Sequence, residues 1–396
     1  MEEWKEYKLG NVCEVLNGRA YKQEELLSKG KYPVLRVGNI FQGNNWYYSD
    51  LELPENKYCN KGDLLYAWSC GFAPYIWEGD KTIYHYHIWK LIENKEILDR
   101  KFLYYYLIIN TKRFVGGIHG SVMVHLTKKD MENQVLKVPS LPTQQKIANI
   151  LSSLDDKIEV NCRINEQLEE LAQALFKSWF VDFEPFKDGE FVESELGMIP
   201  EGWKVCELQE LVNIKRGGSP RPIQNFLAET GYNWLKISDA TSTSSPFIYE
   251  IKECIKEEGL SKTVFLKAGN LVLSNSATPG IPKFLGIDSC IHDGWLYFPK
   301  SNLSNEFLYL LFKYKRKYLI SQGNGSVFTN LKTDIVKMMQ LAIPDDSIIS
   351  SFDIVIKSIF ENIKKNQQEI THLTNLRDTL LPKLMSGEID VNEVEI

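Results

Sequence analysis

The chain has 396 residues, of which 43% are hydrophobic and 12% aromatic, enough for two or three cores and too rich in rings for a disordered polymer. No apolar run reaches the roughly 18–20 residues of a membrane helix, and the charged opening Glu2-Glu3-Trp4-Lys5-Glu6 lacks the apolar stretch of a secretory signal; seven cysteines without a CxxC pair point to a reduced, cytoplasmic protein. A net charge of −6 argues against a polyanionic partner only at first sight: residues 181–210 carry −7 and residues 386–396 carry −4, leaving +5 on the rest and room for a locally basic groove.

The first globular stretch, residues 1–140, opens with a basic, glycine-containing segment, Asn17-Gly18-Arg19-Ala20-Tyr21-Lys22. Arg19 and Lys22 are candidate DNA contacts. Short aromatic and β-branched runs follow, punctuated by Gly, Asn and Pro. One is Tyr32-Pro33-Val34-Leu35-Arg36-Val37-Gly38. They predict short strands in a mixed α/β or α+β domain. Arg36 falls on such a strand, where it can project to base edges or merely line a sheet edge. Cys59, Cys70, His85 and His87 are zinc-ligand types, but structural zinc sites space their cysteines more closely, so core and surface roles and no metal are expected. Lys112 and Arg113 close a helix just before Gly120-Ser121, a loop that can donate to phosphates or serve as a tight turn.

Beyond Pro142, apolar residues at Ile147, Ile150, Leu151, Leu154, Ile158, Leu168, Leu171 and Leu175 alternate in steps of three and four, the seam of a coiled coil. Roughly 34 such residues make a rod of about 50 Å. The helical segment is placed at 141–185 and an acidic linker at 186–202.

Residues 203–344 then repeat the first stretch, and 345–386 repeat the helix before an acidic tail at 387–396. Trp203-Lys204 matches Trp4-Lys5, and Gly217 matches Gly18. From residue 102 the offset holds at 205: Phe102-Leu103-Tyr104 against Phe307-Leu308-Tyr309, Gly120-Ser121-Val122 against Gly325-Ser326-Val327. A repeat of about 200 residues means tandem domains rather than a solenoid. The second copy carries the strongest local DNA candidate, Lys215-Arg216-Gly217-Gly218-Ser219-Pro220-Arg221. Its glycines and Ser219 can bring N–H and O–H groups to phosphates; Lys215, Arg216 and Arg221 can reach phosphates or guanine O6 and N7. The competing reading is a basic hairpin turn. Lys236 matches Arg36. Lys313, Lys315, Arg316 and Lys317 form a basic run before Gly325-Ser326, though charge runs are usually solvated faces. Asn161 and Asn366 occupy matching mid-seam positions. If the helices pair antiparallel, the two amides are expected to bond to each other and fix the register; otherwise they face solvent.

Several chemistries have no motif. There is no G-x-x-x-x-G-K-[ST] loop, no Asn-Pro-Pro-aromatic tetrapeptide and no Gly-rich cofactor loop. Glu-x-Lys recurs five times, too loosely to mark a nuclease. No catalytic residue and no cofactor are therefore expected in this chain.

The segment Ser178-Trp179-Phe180-Val181-Asp182-Phe183-Glu184-Pro185-Phe186, followed by Glu193-Ser194-Glu195-Leu196-Gly197-Met198-Ile199-Pro200-Glu201-Gly202-Trp203, closely resembles the central conserved region of Type I restriction–modification specificity subunits. Pro139-Ser140-Leu141-Pro142-Thr143-Gln144-Gln145 and Leu380-Leu381-Pro382-Lys383-Leu384-Met385-Ser386-Gly387 fit the helix ends of that family. Gly62-Asp63-Leu64-Leu65-Tyr66-Ala67-Trp68-Ser69 resembles one group of its target-recognition domains. The resemblance implies an α+β protein: two target-recognition domains separated by a pair of long antiparallel coiled-coil helices, in a pseudo-twofold internal repeat. It implies that each domain reads one half of a split, asymmetric site in double-stranded DNA. The helices would dock two modification subunits, which carry S-adenosylmethionine and methylate adenine N6. Up to two restriction subunits using ATP and Mg2+ would join to translocate and cut DNA. The competing functions are a stand-alone DNA-binding or coiled-coil interaction protein and, with no motif in its favour, a self-sufficient methyltransferase or nuclease.

Overall fold

Leu64-Leu65-Tyr66-Ala67 is buried at every position. A continuous apolar run of that length suits a strand covered on both faces. In the computed structural model, which describes residues 3–43, 45–69, 71–116, 126–322 and 330–391, this strand lies inside an antiparallel sheet ordered Cys13–Asn17, Ile88–Glu93, Leu64–Ala67, Ala73–Ile76. A second sheet runs Tyr47–Ser49, Tyr32–Leu35, Thr82–Tyr84, Tyr58–Cys59, with Val34 paired parallel to Ile83. The helix Arg100–Gly116 buries Phe102, Leu103 and Leu107 against the first sheet's residues Leu64, Tyr66, Trp89 and Leu91.

The second copy repeats the plan with five strands per sheet. One sheet is ordered Val212–Arg216, Trp295–Ser301, Leu271–Ser274, Pro282–Leu285, Phe247–Ile248; the other is Leu227–Ala228, Cys254–Ile255, Tyr232–Leu235, Ser289–Ile291, Val264–Leu266. The parallel pairing recurs, Trp234 with Cys290. The fold is α+β, as expected.

Chain contacts divide into two units: Met1–Ile158 with Thr371–Ile396, and Glu159–Ile370. Both long helices, Leu141–Phe180 and Asp346–Ser386, therefore contribute turns to both units. Within the first unit, Ile147, Ala148 and Leu151 are buried in the same cluster as Leu381, Leu384 and Met385. Arg377 Nη1 meets Asp155 at 2.8 Å, and Tyr105 donates its hydroxyl to the same carboxylate at 2.6 Å. Within the second unit, Ala172 and Phe176 share a core with Phe352, Ile356, Phe360 and Ile363. In each unit the partner numbers fall as the first helix's numbers rise, so the two helices run antiparallel there.

Three details differ from expectation. Asn161 donates to Glu369 at 2.9 Å, and Asn366 donates to Asn165 at 3.0 Å. The expected Asn161–Asn366 pair is not the register device, because the antiparallel register sets each asparagine opposite a residue about one turn from the other. The buried seam is also shifted. Leu171, an expected seam position, is exposed, while its neighbours Ala172 and Phe176 are buried: the apolar stripe is wider than the contact it supplies. Finally, the first helix ends at Phe180, where Lys177 O accepts from both Val181 and Asp182 and Phe183 turns left-handed at φ 55°. The acidic segment beyond it is folded. It forms the hairpin Phe191–Ser194/Gly197–Pro200, and Phe183 and Phe186 pack edge-on against Trp203, each at 5.2 Å, since rings this large are worth burying.

Candidate nucleic-acid interface

In the second unit the strand Val212–Arg216 runs into the basic loop. Gly217 N donates to Trp295 O at 2.8 Å and Gly218 N to Ile291 O at 3.2 Å. A Cβ on Gly217 would stand 2.2 Å from His292 O. This glycine is thus required by a backbone crossing, and its N–H is engaged within the fold. The first unit has the same crossing: Gly18 N donates to Ile88 O at 3.2 Å, Arg19 N to Tyr84 O at 3.1 Å, and a Cβ on Gly18 would lie 2.3 Å from His85 O. The expectation that these loop amides face phosphate is corrected accordingly; the side chains carry the positive field.

Those side chains converge on Asp293. Ser219 donates its hydroxyl to Asp293 Oδ1 at 2.6 Å, Arg221 Nη2 lies 3.2 Å from Oδ2, and Arg216 Nε donates to the Asp293 main-chain oxygen. The Ser219 hydrogen bond, with the charges of Arg216, His292 and Arg221, holds this carboxyl below the usual aspartate range against the opposing effect of burial. Lys215, Arg216 and Arg221 are exposed. Lys236 is not within its strand, as expected, but in the turn just past Tyr232–Leu235. Its N–H donates to Asp239 at 2.9 Å and its ammonium pairs with Glu253. A cleft of about 780 Å³ gathers Ser219, Arg221, Lys236, Glu253, Trp234 and His292, so the loop and the Lys236 turn form one surface.

The first unit builds the matching surface from other chemistry. Arg19 is clamped by Glu25 through two hydrogen bonds of 3.0 and 2.7 Å. Lys22 is exposed, 3.7 Å from Glu24. Arg36, also past the end of its strand, donates to Asn45 O at 2.7 Å and covers the Tyr47 ring at 4.2 Å. Beside them Trp68, Tyr86 and His87 cluster, with ring separations of 6.0 Å from Trp68 to Tyr86, 5.1 Å from Trp68 to His87 and 3.9 Å from Tyr86 to His87. His85 is pushed down to about 4, first by burial and then by His87 and Arg36.

The remaining candidates divide. Lys112 and Arg113 are exposed on the last turns of their helix. Lys313 is turned instead to Glu169 of the first long helix, at 2.8 Å. Arg316 lies beneath the loop that ends at Gly280, where an added Cβ would meet its Cγ at 3.2 Å. Gly120, Ser121, Gly325 and Ser326 lie outside the described residues. Among the described residues no three His, Cys, Asp or Glu side chains group as metal ligands. Cys59 is buried, with its thiol toward Thr82 O. Sequence reasoning missed Asp293, His292, Glu253 and Trp234. One signal was available: His85 and His292 stand in matching positions of the repeat.

A family model for the Type I restriction modification DNA specificity domain matches residues 1–170 and 200–375. The chain belongs to this family. It is 30% identical over 304 residues to the Type I restriction enzyme MjaIX specificity subunit of Methanocaldococcus jannaschii, covering 74% of this chain and 70% of that protein. It is 27% identical to the HindI specificity subunit of Haemophilus influenzae, over 98% of this chain and 100% of that one. A crystal structure of a Type I system S subunit from M. genitalium shares the fold, with a TM-score of 0.61 at 16% identity over 97% of this chain and 96% of that chain. The chain is thus a specificity subunit, a DNA-recognition protein. No described helix is long and apolar enough to cross a membrane.

Proposed function

We propose that this specificity subunit reads a bipartite, asymmetric duplex target, one half-site per globular unit, and that it performs no chemistry itself. The observation that carries the reading is the pair of matched but unlike surfaces. Matching regions of the two units present Arg216 and Arg221 around Asp293 in one and a Trp68–Tyr86–His87 cluster with clamped Arg19 in the other. Arginine matches guanine O6 and N7, whereas aromatic and histidine edges suit other base pairs, so the two half-sites should differ. Recognition falls to 1–140 and 203–344, and the spacers are 141–185, whose helix ends at Phe180, and 345–386.

Docking of two modification subunits falls to the long helices. Val160, Ile164 and Leu171 are 47%, 39% and 48% exposed, and their spacing puts them on one face of the first helix. Such a stripe suits an apolar helix face of a partner. The modification subunits supply S-adenosylmethionine and adenine-N6 methylation, and up to two restriction subunits supply ATP- and Mg2+-dependent translocation and cleavage, all in the cytoplasm. The test is co-expression with a candidate modification subunit, followed by mapping of methylated adenines. Two unlike half-sites with a fixed unread gap are expected. A symmetric or unsplit site would refute the reading, and failure of any modification subunit to co-purify would favour a stand-alone protein.

A further inference from the structure

We infer that the cleft of the second unit is a binding site for a single nucleotide whose base carries an exocyclic amino group, held with its ring between Pro220 and the Trp234 wall and its phosphate at Ser219 and Arg221. This deepens the proposed DNA reading and rests on it where the nucleotide belongs to a strand.

The internal repeat carries the argument. The Gly18 and Arg19 hydrogen bonds to Ile88 and Tyr84 correspond one for one to those of Gly217 and Gly218 with Trp295 and Ile291. That correspondence pairs Tyr21 with Pro220 and His85 with His292. In the first unit the Tyr21 ring stacks on His85, centroids 6.3 Å apart and planes 27° apart, and the tyrosine hydroxyl is buried without a partner. In the second unit proline stands in the place of that ring, and Pro220 and His292 instead line a cleft of about 780 Å³. A flat ring therefore occupies this position in the first unit; in the second unit proline stands there, the nearest ring to His292 is the cleft wall Trp234, at 5.9 Å and tilted by 47°, and the space on the Pro220 side is left to the cleft.

The lining says which ring. Ile223, Leu227, Trp234 and Ile237 give apolar walls, suited to a base's faces. Glu253 engages Lys236 through Oε1, while its Oε2 is buried with no hydrogen-bond partner. A carboxylate oxygen accepts only, so it asks for an N–H donor; adenine, cytosine and guanine offer an exocyclic amino group that projects from the ring edge, whereas thymine offers only its ring N3–H, flanked by two carbonyl oxygens that a carboxylate repels. At the rim, Ser219 and Arg221 hold the anionic oxygens of Asp293, and a phosphate takes this same donor set by displacing that carboxylate. The Arg221 side chain is 79% exposed and accessible to a ligand.

Calorimetry of the full chain with 2′-deoxyadenosine 5′-monophosphate, with the thymidine monophosphate as control, tests the free source. A methylation-mapped duplex carrying 2-aminopurine in place of each half-site adenine tests the strand source, with anisotropy recorded on the same samples to report DNA binding separately. The expected result is deoxyadenylate binding at least about tenfold tighter than thymidylate, a rise in 2-aminopurine fluorescence, or both. Either should be abolished by Pro220→Tyr, which restores the first unit's own ring, and weakened by Glu253→Gln. Thermal melts establish that both variants fold, and Glu253→Gln decides alone if the tyrosine variant does not. Deoxyadenylate binding with silent 2-aminopurine assigns a free nucleotide; the reverse assigns an extruded one. Neither signal on a protein that binds the duplex by anisotropy overturns the cleft and leaves the DNA reading intact. So does a signal that Glu253→Gln and a folded Pro220→Tyr both leave unchanged. Absence of any sequence preference in anisotropy instead overturns the DNA reading, and the deoxyadenylate arm then judges the cleft by itself.

Discussion

Replacing Asp293 by asparagine keeps an oxygen for the Ser219 hydroxyl, now 2.6 Å away, but removes the negative charge that faces Arg221 at 3.2 Å and adjoins Arg216. Arg221 is largely solvated, with 79% of its side chain exposed, so the ion pair contributes only about 0–1 kcal/mol and the fold should lose less than that. The effect on DNA is opposite in sign. One fewer carboxylate beside two arginines should favour phosphate by about 0.5–1 kcal/mol, a two- to fivefold gain in non-specific affinity at roughly 0.1 M salt. The gain should fade toward 1 M salt as the screening length drops to about 3 Å. Anisotropy with an unrelated duplex over a salt series measures it. Because the carboxyl is held below the usual aspartate range, it stays ionised at neutral and mildly acid pH. Any stability it contributes is present above the unfolded aspartate value and is lost only as pH falls through the lower folded one, so the affinity difference should be flat between about pH 6 and 8. Equal or weaker non-specific binding by Asp293→Asn would refute the idea that this aspartate restrains the arginines.

Other perturbations probe the scaffold and the docking face. Asp155→Ala strips a half-buried carboxylate from both Tyr105 and Arg377 and should cost about 1–3 kcal/mol in urea unfolding. Gly217→Ala drives a Cβ toward His292 O at 2.2 Å, a backbone clash no rotamer relieves, and should destabilise by about 2–4 kcal/mol in the same assay. His85 binds its proton at about 4 in the fold against 6.5 ordinarily, so the unfolded chain protonates first. Stability should be full above the ordinary value and decline from about pH 6.5 toward 4, by on the order of 2 kcal/mol, with the slope reduced in His85→Gln. The double change Val160→Asp and Leu171→Asp, both at exposed positions, should leave the melting temperature within a few degrees while abolishing co-purification of a modification subunit.

Much of the architecture was legible because it is periodic. The 205-residue offset announced two copies, and the three-four spacing after Pro142 announced a helix that runs from Leu141 to Phe180. What was not legible depended on where periodic elements meet. The spacing places Asn161 and Asn366 on the seam, but only the antiparallel register decides that Glu369 and Asn165 receive their amides. A basic run reads the same whether it faces solvent or, like Lys313, a glutamate on another helix. Asp293 carries no local signature; it matters because a strand turn sets it against a loop 72 residues away in sequence. Gly217 was noticed for the wrong reason, since a glycine beside arginines suggests a phosphate cradle as readily as a backbone crossing.

That crossing has an evolutionary consequence. Around it the two copies have drifted apart, from Arg19-Ala20-Tyr21-Lys22 to Gly218-Ser219-Pro220-Arg221. The glycine before each has not, because the carbonyl it passes belongs to the main chain and is there whatever side chains surround it. Selection for a new target can therefore rewrite the four residues that follow while the hinge on which they hang stays put.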